Sequence, residues 1–345
     1  MKIVKYLFFL LLLVIIGGAV YVSTIDGEFQ VEESRVIDAP DELLFSTINE
    51  YKTWDKWGPW MDESDDFVME YPDKTSGEGA YYNWKSETQP NGKMETKKVS
   101  PFSSIDQQLT MNVPVVGNIY SDVYWKFEKI EGKKTKVTWG TKGSQSFMQK
   151  MYGLTQDSTM AQMIKPMYAH GLKNLDVFVN EKMKKYSINV DGVTEHGGGF
   201  YMYSATAASI AVIQEKTKEM LPAVSMYMKE NNLPQTGMPF TLYNEYNTDH
   251  GTAIFSIAIP TRDKVLTPKE SSILCDFLPR QKIVKTTLKG DHNNLKEAWN
   301  TAYKYISENN LELNTTSPTF EVYRVQPSLQ PNPAEWITEI YIPIL

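Results

Sequence analysis

Five side chains near the end of this 345-residue chain have the chemistry of a ligand site: Glu321, Tyr323, Glu339, Tyr341 and Trp299. Glu321 and Tyr323 stand two residues apart, as do Glu339 and Tyr341. On strands, that spacing puts each carboxylate and its phenol on one face. If the two strands are sheet neighbours, both carboxylates are expected to face one groove. A carboxylate among aromatic rings suits a partly apolar cation. The charge supplies Coulomb attraction, and the rings supply stacking or cation–π contact of about 0.5–2 kcal/mol. Apolar walls also raise the pKa of such a carboxylate, which makes Glu321 a candidate general base toward water. The plain alternative is that both glutamates occupy exposed strand positions without a role. Glu339 is the weaker candidate, because Thr338-Glu339 also reads as a structural pair.

Other chemistries find little support. The formal charge of -7, and the lack of a Lys/Arg cluster interleaved with aromatics, argue against nucleic acid as a partner. The four histidines are scattered without metal-ligand spacing, and no P-loop, dinucleotide fingerprint or Gly-x-Ser-x-Gly elbow occurs, so neither metal nor cofactor is expected. Catalytic residues are not identifiable by motif. The single cysteine, Cys275, sits in the apolar run Ile273-Leu274-Cys275 and reads as a small buried hydrophobe. Asn314-Thr315-Thr316 fits a glycosylation sequon, a motif frequent by chance.

The elements that must position the five residues repeat. Glu230-Asn231-Asn232-Leu233 recurs as Glu308-Asn309-Asn310-Leu311, each time ending a helical pattern. A strand follows each copy, Pro239 to Tyr243 and Pro318 to Tyr323, and then a second strand closing on Ile257-Ala258-Ile259-Pro260 or Ile340-Tyr341-Ile342-Pro343. A strand precedes each helix, Gly199 to Tyr203 and Lys282 to Leu288. The second helix has an apolar face of Leu295, Ala298, Trp299, Ala302, Tyr305 and Ile306, with Asp291 or Asn293 to cap it. The first contains Pro222, which predicts a kink or a break. Aligned by landmark, Thr241 stands where Glu321 stands and Ser256 where Glu339 stands. The second copy is charged where the first is neutral, as expected of a ligand site laid across a pseudo-twofold axis.

Ahead of residue 188 the pattern differs. A strand over Phe29–Ile37 leads into a short helix begun by Ala39-Pro40-Asp41 and then into the Trp54 to Trp60 segment. Alternating sets follow: Ala80, Tyr82 and Trp84; Ile105, Gln107, Leu109 and Met111; Ile119 to Phe127; Val137 and Trp139. These predict an antiparallel meander. A helix from about Thr159 to Lys184, with Met163, Met167, Leu172, Leu175 and Phe178 inward, closes the part. His196-Gly197-Gly198-Gly199 reads as a linker. At the N-terminus Tyr6 to Ile25 holds no charge, after Lys2 and Lys5. As a helix it spans about 30 Å, enough for a bilayer core. The lysines predict a membrane anchor with the folded domains outside the cytoplasm; a cleaved signal peptide is the competing reading.

Two resemblances join these readings. Ser34-Arg35-Val36-Ile37-Asp38-Ala39-Pro40, Trp54 and Trp57, with the order strand, short helix, meander and long helix, resemble the START-like (SRPBCC, polyketide cyclase/dehydrase) superfamily over residues 29–183. That implies a helix-grip fold around an apolar cavity, with Trp54, Trp57 and Trp60 at its mouth or packed in the core. Leu278-Pro279-Arg280-Gln281-Lys282, Ala298-Trp299, Glu321-Val322-Tyr323 and the ending Thr338 to Ile344 resemble the GyrI-like domain, the effector-binding domain of AraC- and MerR-type regulators. Family members often have Gly-x-Tyr before the second helix; this chain has Gly290-Asp291-His292. The resemblance implies a ligand-binding role for Glu321, or assistance to water attack as in hydrolases of strained electrophiles. The expectation is an α+β chain with an N-terminal transmembrane helix or signal segment (1–26), a START-like helix-grip domain (27–187) and a duplicated strand–helix–strand–strand GyrI-like domain (188–345). Its expected function is that of a membrane-tethered binder that senses, sequesters or transfers a small amphipathic, cationic ligand. A hydrolase using Glu321, or a scaffold with degenerate cavities, are the alternatives. No helix-turn-helix pattern accompanies the domain, so direct transcriptional control is not expected.

Overall fold

Period-two burial and long helices alternate along the chain, and a computed structural model shows how they assemble. It describes residues 2–62, 66–114, 116–155, 158–247, 249–325 and 329–345; Met1 of the N-terminal segment lies outside them. The chain divides into two compact units, Met1–Glu181 and Lys182–Leu345.

In the first unit, α1 (Lys2–Thr24) is exposed from Ile3 onward except at Val22. Ile3–Thr24 is long and apolar enough to cross a membrane, a property that anchors and signal sequences share. Then come β1 (Glu28–Ile37), α2 (Asp41–Asn49), β2 (Val68–Glu70), β3 (Tyr81–Lys85), β4 (Gly92–Ser100), β5 (Ser104–Val113), β6 (Gly117–Lys129), β7 (Thr135–Ser144), α3 (Phe147–Gly153) and α4 (Met160–Met183). Strands β2 to β7 form an antiparallel meander, and β1 returns to pair with β7 at the other edge. The alternating sets read from sequence face inward. Trp125 and Trp139 are cross-strand partners whose rings stack 4.4 Å apart, and Tyr168 of α4 stacks on Trp139 at 4.1 Å. Trp54 and Trp57 are buried against both tryptophans, so they belong to the packed interior. The Trp139 indole N–H is buried without a partner, whereas the polar edge at Trp125 is satisfied in series. The Trp125 indole N–H donates to Gln107, whose amide donates to Tyr51, whose hydroxyl bonds Thr96. Helix α4 comes this close to Trp139 because Gly171 lacks a Cβ, which would lie 2.7 Å from the Trp139 ring. Met163, which helical spacing turned inward, is exposed; Tyr168, Leu172, Leu175 and Val179 form the buried face.

The second unit contains β8 (Ser187–His196), β9 (Gly199–Ser209), α5 (Ile213–Glu230), β10 (Phe240–Asn247), β11 (Thr252–Thr261), β12 (Leu274–Leu278), β13 (Gln281–Lys289), α6 (Leu295–Glu308), β14 (Thr319–Val325) and β15 (Ile337–Pro343). One antiparallel sheet takes all eight strands in the order β12-β9-β11-β10-β14-β15-β13-β8. The two copies, β9-α5-β10-β11 and β13-α6-β14-β15, are therefore related across the β10–β14 pair. Even their irregularities repeat: β10 and β14 each bulge two residues after the site position, between Tyr243 and Glu245 and between Tyr323 and Val325.

The repeated Asn-Asn-Leu is a helix stop. Asn232 and Asn310 have φ of 56° and 52°, the left-handed turn that asparagine tolerates better than most side chains. The following leucine N–H reaches back five residues, Leu233 to Met228 at 2.8 Å and Leu311 to Ile306 at 3.0 Å. Each leucine then packs in the same cluster as the residue that accepts its bond.

Three expectations need correction. Gly197 to Gly199 are not a linker, since β8 ends at His196 and Gly199 already opens β9. They make the turn between these strands, where the Gly198 N–H donates to His196 Nδ1. Pro222 does not split its helix; α5 runs unbroken through it. Cys275 lies on edge strand β12 and is only half-buried, its Sγ accepting from the Val265 N–H. Asp291 does cap the start of the second helix, through a 3₁₀ turn over His292–Asn294 that leads into α6.

Candidate functional site

The β10–β14 register settles where the charge sits. Thr241 pairs with Glu321, flanked by Phe240 against Val322 and Leu242 against Phe320. These are equivalent positions of the two copies, so the pseudo-twofold axis passes through the Thr241–Glu321 pair. The charged member of an otherwise matched couple lies on the axis itself.

Glu321 is 2% exposed and points to the sheet face covered by α5 and α6. The Trp299 indole N–H, presented by α6, donates to Oε1 at 2.6 Å. The Tyr323 hydroxyl donates to Oε2 at 3.1 Å and also bonds Thr241 at 2.8 Å. Tyr243 of β10 lies beside the same carboxylate. Around this centre Tyr243 meets Trp299 edge-on at 5.9 Å, Trp299 stacks with Tyr303 at 6.0 Å, and His292 lies 5.6 Å from the Tyr323 ring. Among the described residues, no cationic side chain pairs with Glu321. Burial pushes its pKa above the ordinary carboxylate value, against the opposing pull of Trp299, Tyr243 and Tyr323.

Glu339 belongs elsewhere. Strands β14 and β15 are neighbours, but the register pairs Glu339 with Val322 and Glu321 with Ile340. A one-residue offset on a pleated sheet is a change of face. The two carboxylates therefore do not share a groove, contrary to the expectation from spacing. Tyr341 goes with Glu339, donating to it at 2.7 Å. Arg324 at 2.5 Å and Lys285 at 2.7 Å complete an ion cluster. Burial raises the Glu339 pKa, but the bonds from Lys285, Tyr341 and Arg324 outweigh it and hold the pKa below the ordinary value. The two glutamates thus titrate in opposite directions.

The structure brings together Trp299, Glu321 and Tyr323, and sets Glu339 and Tyr341 on the far face. Tyr243 and Tyr303 are site residues that the sequence reading did not single out. Tyr243 had a signal, since it is the first-copy equivalent of Tyr323. Tyr303 stands four residues after Trp299, one helical turn along the same face.

Fold and site define a class: a duplicated strand–helix–strand–strand domain with one buried carboxylate on its internal axis, walled by aromatic rings. Residues 201–345, which lie within the second unit, match the model of the GyrI-like small molecule binding domain. Several solved structures are similar at low identity. The C-terminal domain of EcmrR is 18% identical, with 46% of this chain and 98% of that one covered and a TM-score of 0.39. A protein from Chromobacterium violaceum is 13% identical over 44% of this chain and 96% of its own, with a TM-score of 0.33. SAV2435, solved bound to tetraphenylphosphonium, is 13% identical over 47% and 94%, with a TM-score of 0.33. No curated protein is similar enough to this chain to count as a relative.

Proposed function

We propose that this chain is a membrane-tethered small-molecule-binding protein that captures a partly apolar cation at Glu321, to sense, sequester or transfer it. The observation that supports this reading most is a fully buried carboxylate that has hydrogen-bond donors but no cation. Burying an unpaired charge is costly. A ligand with positive charge would supply the missing counter-ion, and Tyr243, Trp299, Tyr303 and Tyr323 would supply the rings it stacks on. The α1 helix serves as the anchor in this reading, and Lys2 and Lys5 in its first turns support an orientation with the folded units outside the cytoplasm. The first unit is read as a START-like helix grip, supported by its strand–helix–meander–long-helix order.

The test is titration of the full chain in detergent micelles with tetraphenylphosphonium, an apolar cation, followed by calorimetry and thermal unfolding. At a hundredfold excess over Kd the ligand should add about 2.7 kcal/mol to the stability of the unit that binds it. Glu321→Gln keeps the shape and removes the charge, and should weaken binding by roughly 10–100-fold. Unchanged affinity in that variant, or no binding by any apolar cation tried, would sink the assignment. The raised pKa of Glu321 favours a second reading, general-base hydrolysis of an electrophilic small molecule. Turnover lost in Glu321→Gln while substrate binding persists would select it.

A further inference from the structure

The sheet face opposite the helices has a cavity of its own. It measures about 630 Å³, within the range of small-molecule pockets. Its floor is a row of aromatic rings drawn from both copies. Phe320 and Tyr341 lie parallel, 4° apart at 4.8 Å, Phe240 meets Phe320 edge-on at 6.0 Å, and Tyr201 meets Phe240 at 5.4 Å. These rings are separated from Glu321 by the sheet itself, because Phe320 and Val322 flank Glu321 on β14 and point the other way.

The polar groups on this face are mainly donors. No Asp or Glu is among the lining residues, whereas Arg262, Arg324 and His196 are. Arg324 is neutralised by Glu339, and Lys285 by Glu339 and Asp191. Arg262 makes no ion pair among the described residues and is the exposed cation of the rim; the Asp276 carboxylate on the same face is engaged by the Tyr201 hydroxyl at 3.5 Å. His196 Nδ1 accepts the Gly198 N–H, so the ring proton sits on Nε2, which becomes a donor beside Phe320 and Tyr341. Burial and the nearby Arg324 lower the His196 pKa, which favours the neutral ring. Directly across the ladder from His196, Gln281 is 8% exposed and both polar atoms of its amide are buried without a hydrogen-bond partner. A native domain rarely leaves such an amide unsatisfied.

We infer that this cavity is a second ligand site, separate from Glu321, that takes a planar aromatic carboxylate. The ring would lie on the Phe320–Tyr341 stack, with its carboxylate at the Arg262 rim and within reach of the His196 donor. The two faces of one sheet would then select ligands of opposite charge.

The experiment is calorimetric titration of the full chain in micelles with 2-naphthoate, using empty micelles as the blank and 2-naphthamide as the uncharged isostere. The expected result is saturable naphthoate binding, at least about tenfold weaker for the amide and at least about tenfold weaker in Arg262→Ala, as befits a charge-assisted bond. Arg262 is exposed, so that variant should fold normally. His196→Phe, which keeps the ring and removes the donor, should also weaken naphthoate. Glu321→Gln and saturating tetraphenylphosphonium should leave naphthoate affinity unchanged, which separates this site from the first. Equal binding of acid and amide, an unaffected Arg262→Ala, or loss of naphthoate binding in Glu321→Gln would each overturn the inference. No naphthoate binding at millimolar concentration would overturn it too.

Discussion

At the scale of single residues, Glu321 and Glu339 show how environment divides one side-chain type into two roles. Glu321 has a pKa raised above 4.5 by burial, so the folded state holds its proton more tightly than the unfolded state does. Its stabilising contribution is whole below pH 4.5 and is lost as pH rises through the folded-state pKa. Glu321→Gln should therefore match the parent in thermal stability at pH 4, and exceed it at pH 8 when no ligand is present. A parent curve that rises between those pH values while the variant curve stays flat would contradict the assignment. Glu339 has the opposite sign. Its pKa is held below 4.5 by Lys285, Tyr341 and Arg324 in spite of burial, so its contribution is present above pH 4.5 and lost as pH falls through the folded-state pKa. Glu339→Gln should destabilise the domain at pH 7 and make little difference at pH 2–3, as read from urea midpoints. At pH 7 the two substitutions should thus move stability in opposite directions, although sequence spacing alone makes them look interchangeable.

At the scale of elements, the repeated Glu-Asn-Asn-Leu is the clearest case of a motif with a mechanical reason. The second asparagine occupies a left-handed turn in both copies, and the leucine closes the helix end by one hydrogen bond and one apolar contact. Asn310→Ala should cost about 1–2 kcal/mol through the left-handed backbone. Asn310→Gly should cost nothing or stabilise slightly, and the pair of midpoints measures the conformational cost directly. In the first unit the corresponding pressure point is Gly171. Gly171→Ala would drive a methyl into Trp139 and Pro59, and should destabilise by about 1–3 kcal/mol through displacement of α4. The Trp54 segment illustrates a different outcome. Its composition suits a cavity rim and a packed core equally well. Only the ring contacts with Trp125 and Trp139 show that Trp54 and Trp57 are packed inside.

At the scale of the whole molecule, the apolar α1 and the single cysteine provide a test of topology. If α1 is an anchor and the folded units lie outside the cytoplasm, the chain should stay with membranes after alkaline carbonate washing. Half-buried Cys275 should then react with a membrane-impermeant maleimide on intact cells. Labelling only after permeabilisation would reverse the orientation, and recovery of a chain lacking the first residues would select the signal-peptide reading.

Much of this organisation was legible beforehand because it rests on local periodicity. The apolar helix, the inward sets of the meander, the two strand–helix–strand–strand copies and the inequality of Thr241 and Glu321 follow from spacing of 2 or 3.6 residues and from repetition. What spacing does not contain is the register between strands far apart in sequence. A slip of one residue between β14 and β15 exchanges the faces of a sheet, and the observed register sends Glu321 beneath the helices and Glu339 to the open side. The same register between β10 and β14 puts Glu321 on the pseudo-twofold axis beside its neutral counterpart. Long-range pairing energies, summed over the whole sheet, decide that alignment, and no local window of residues records it.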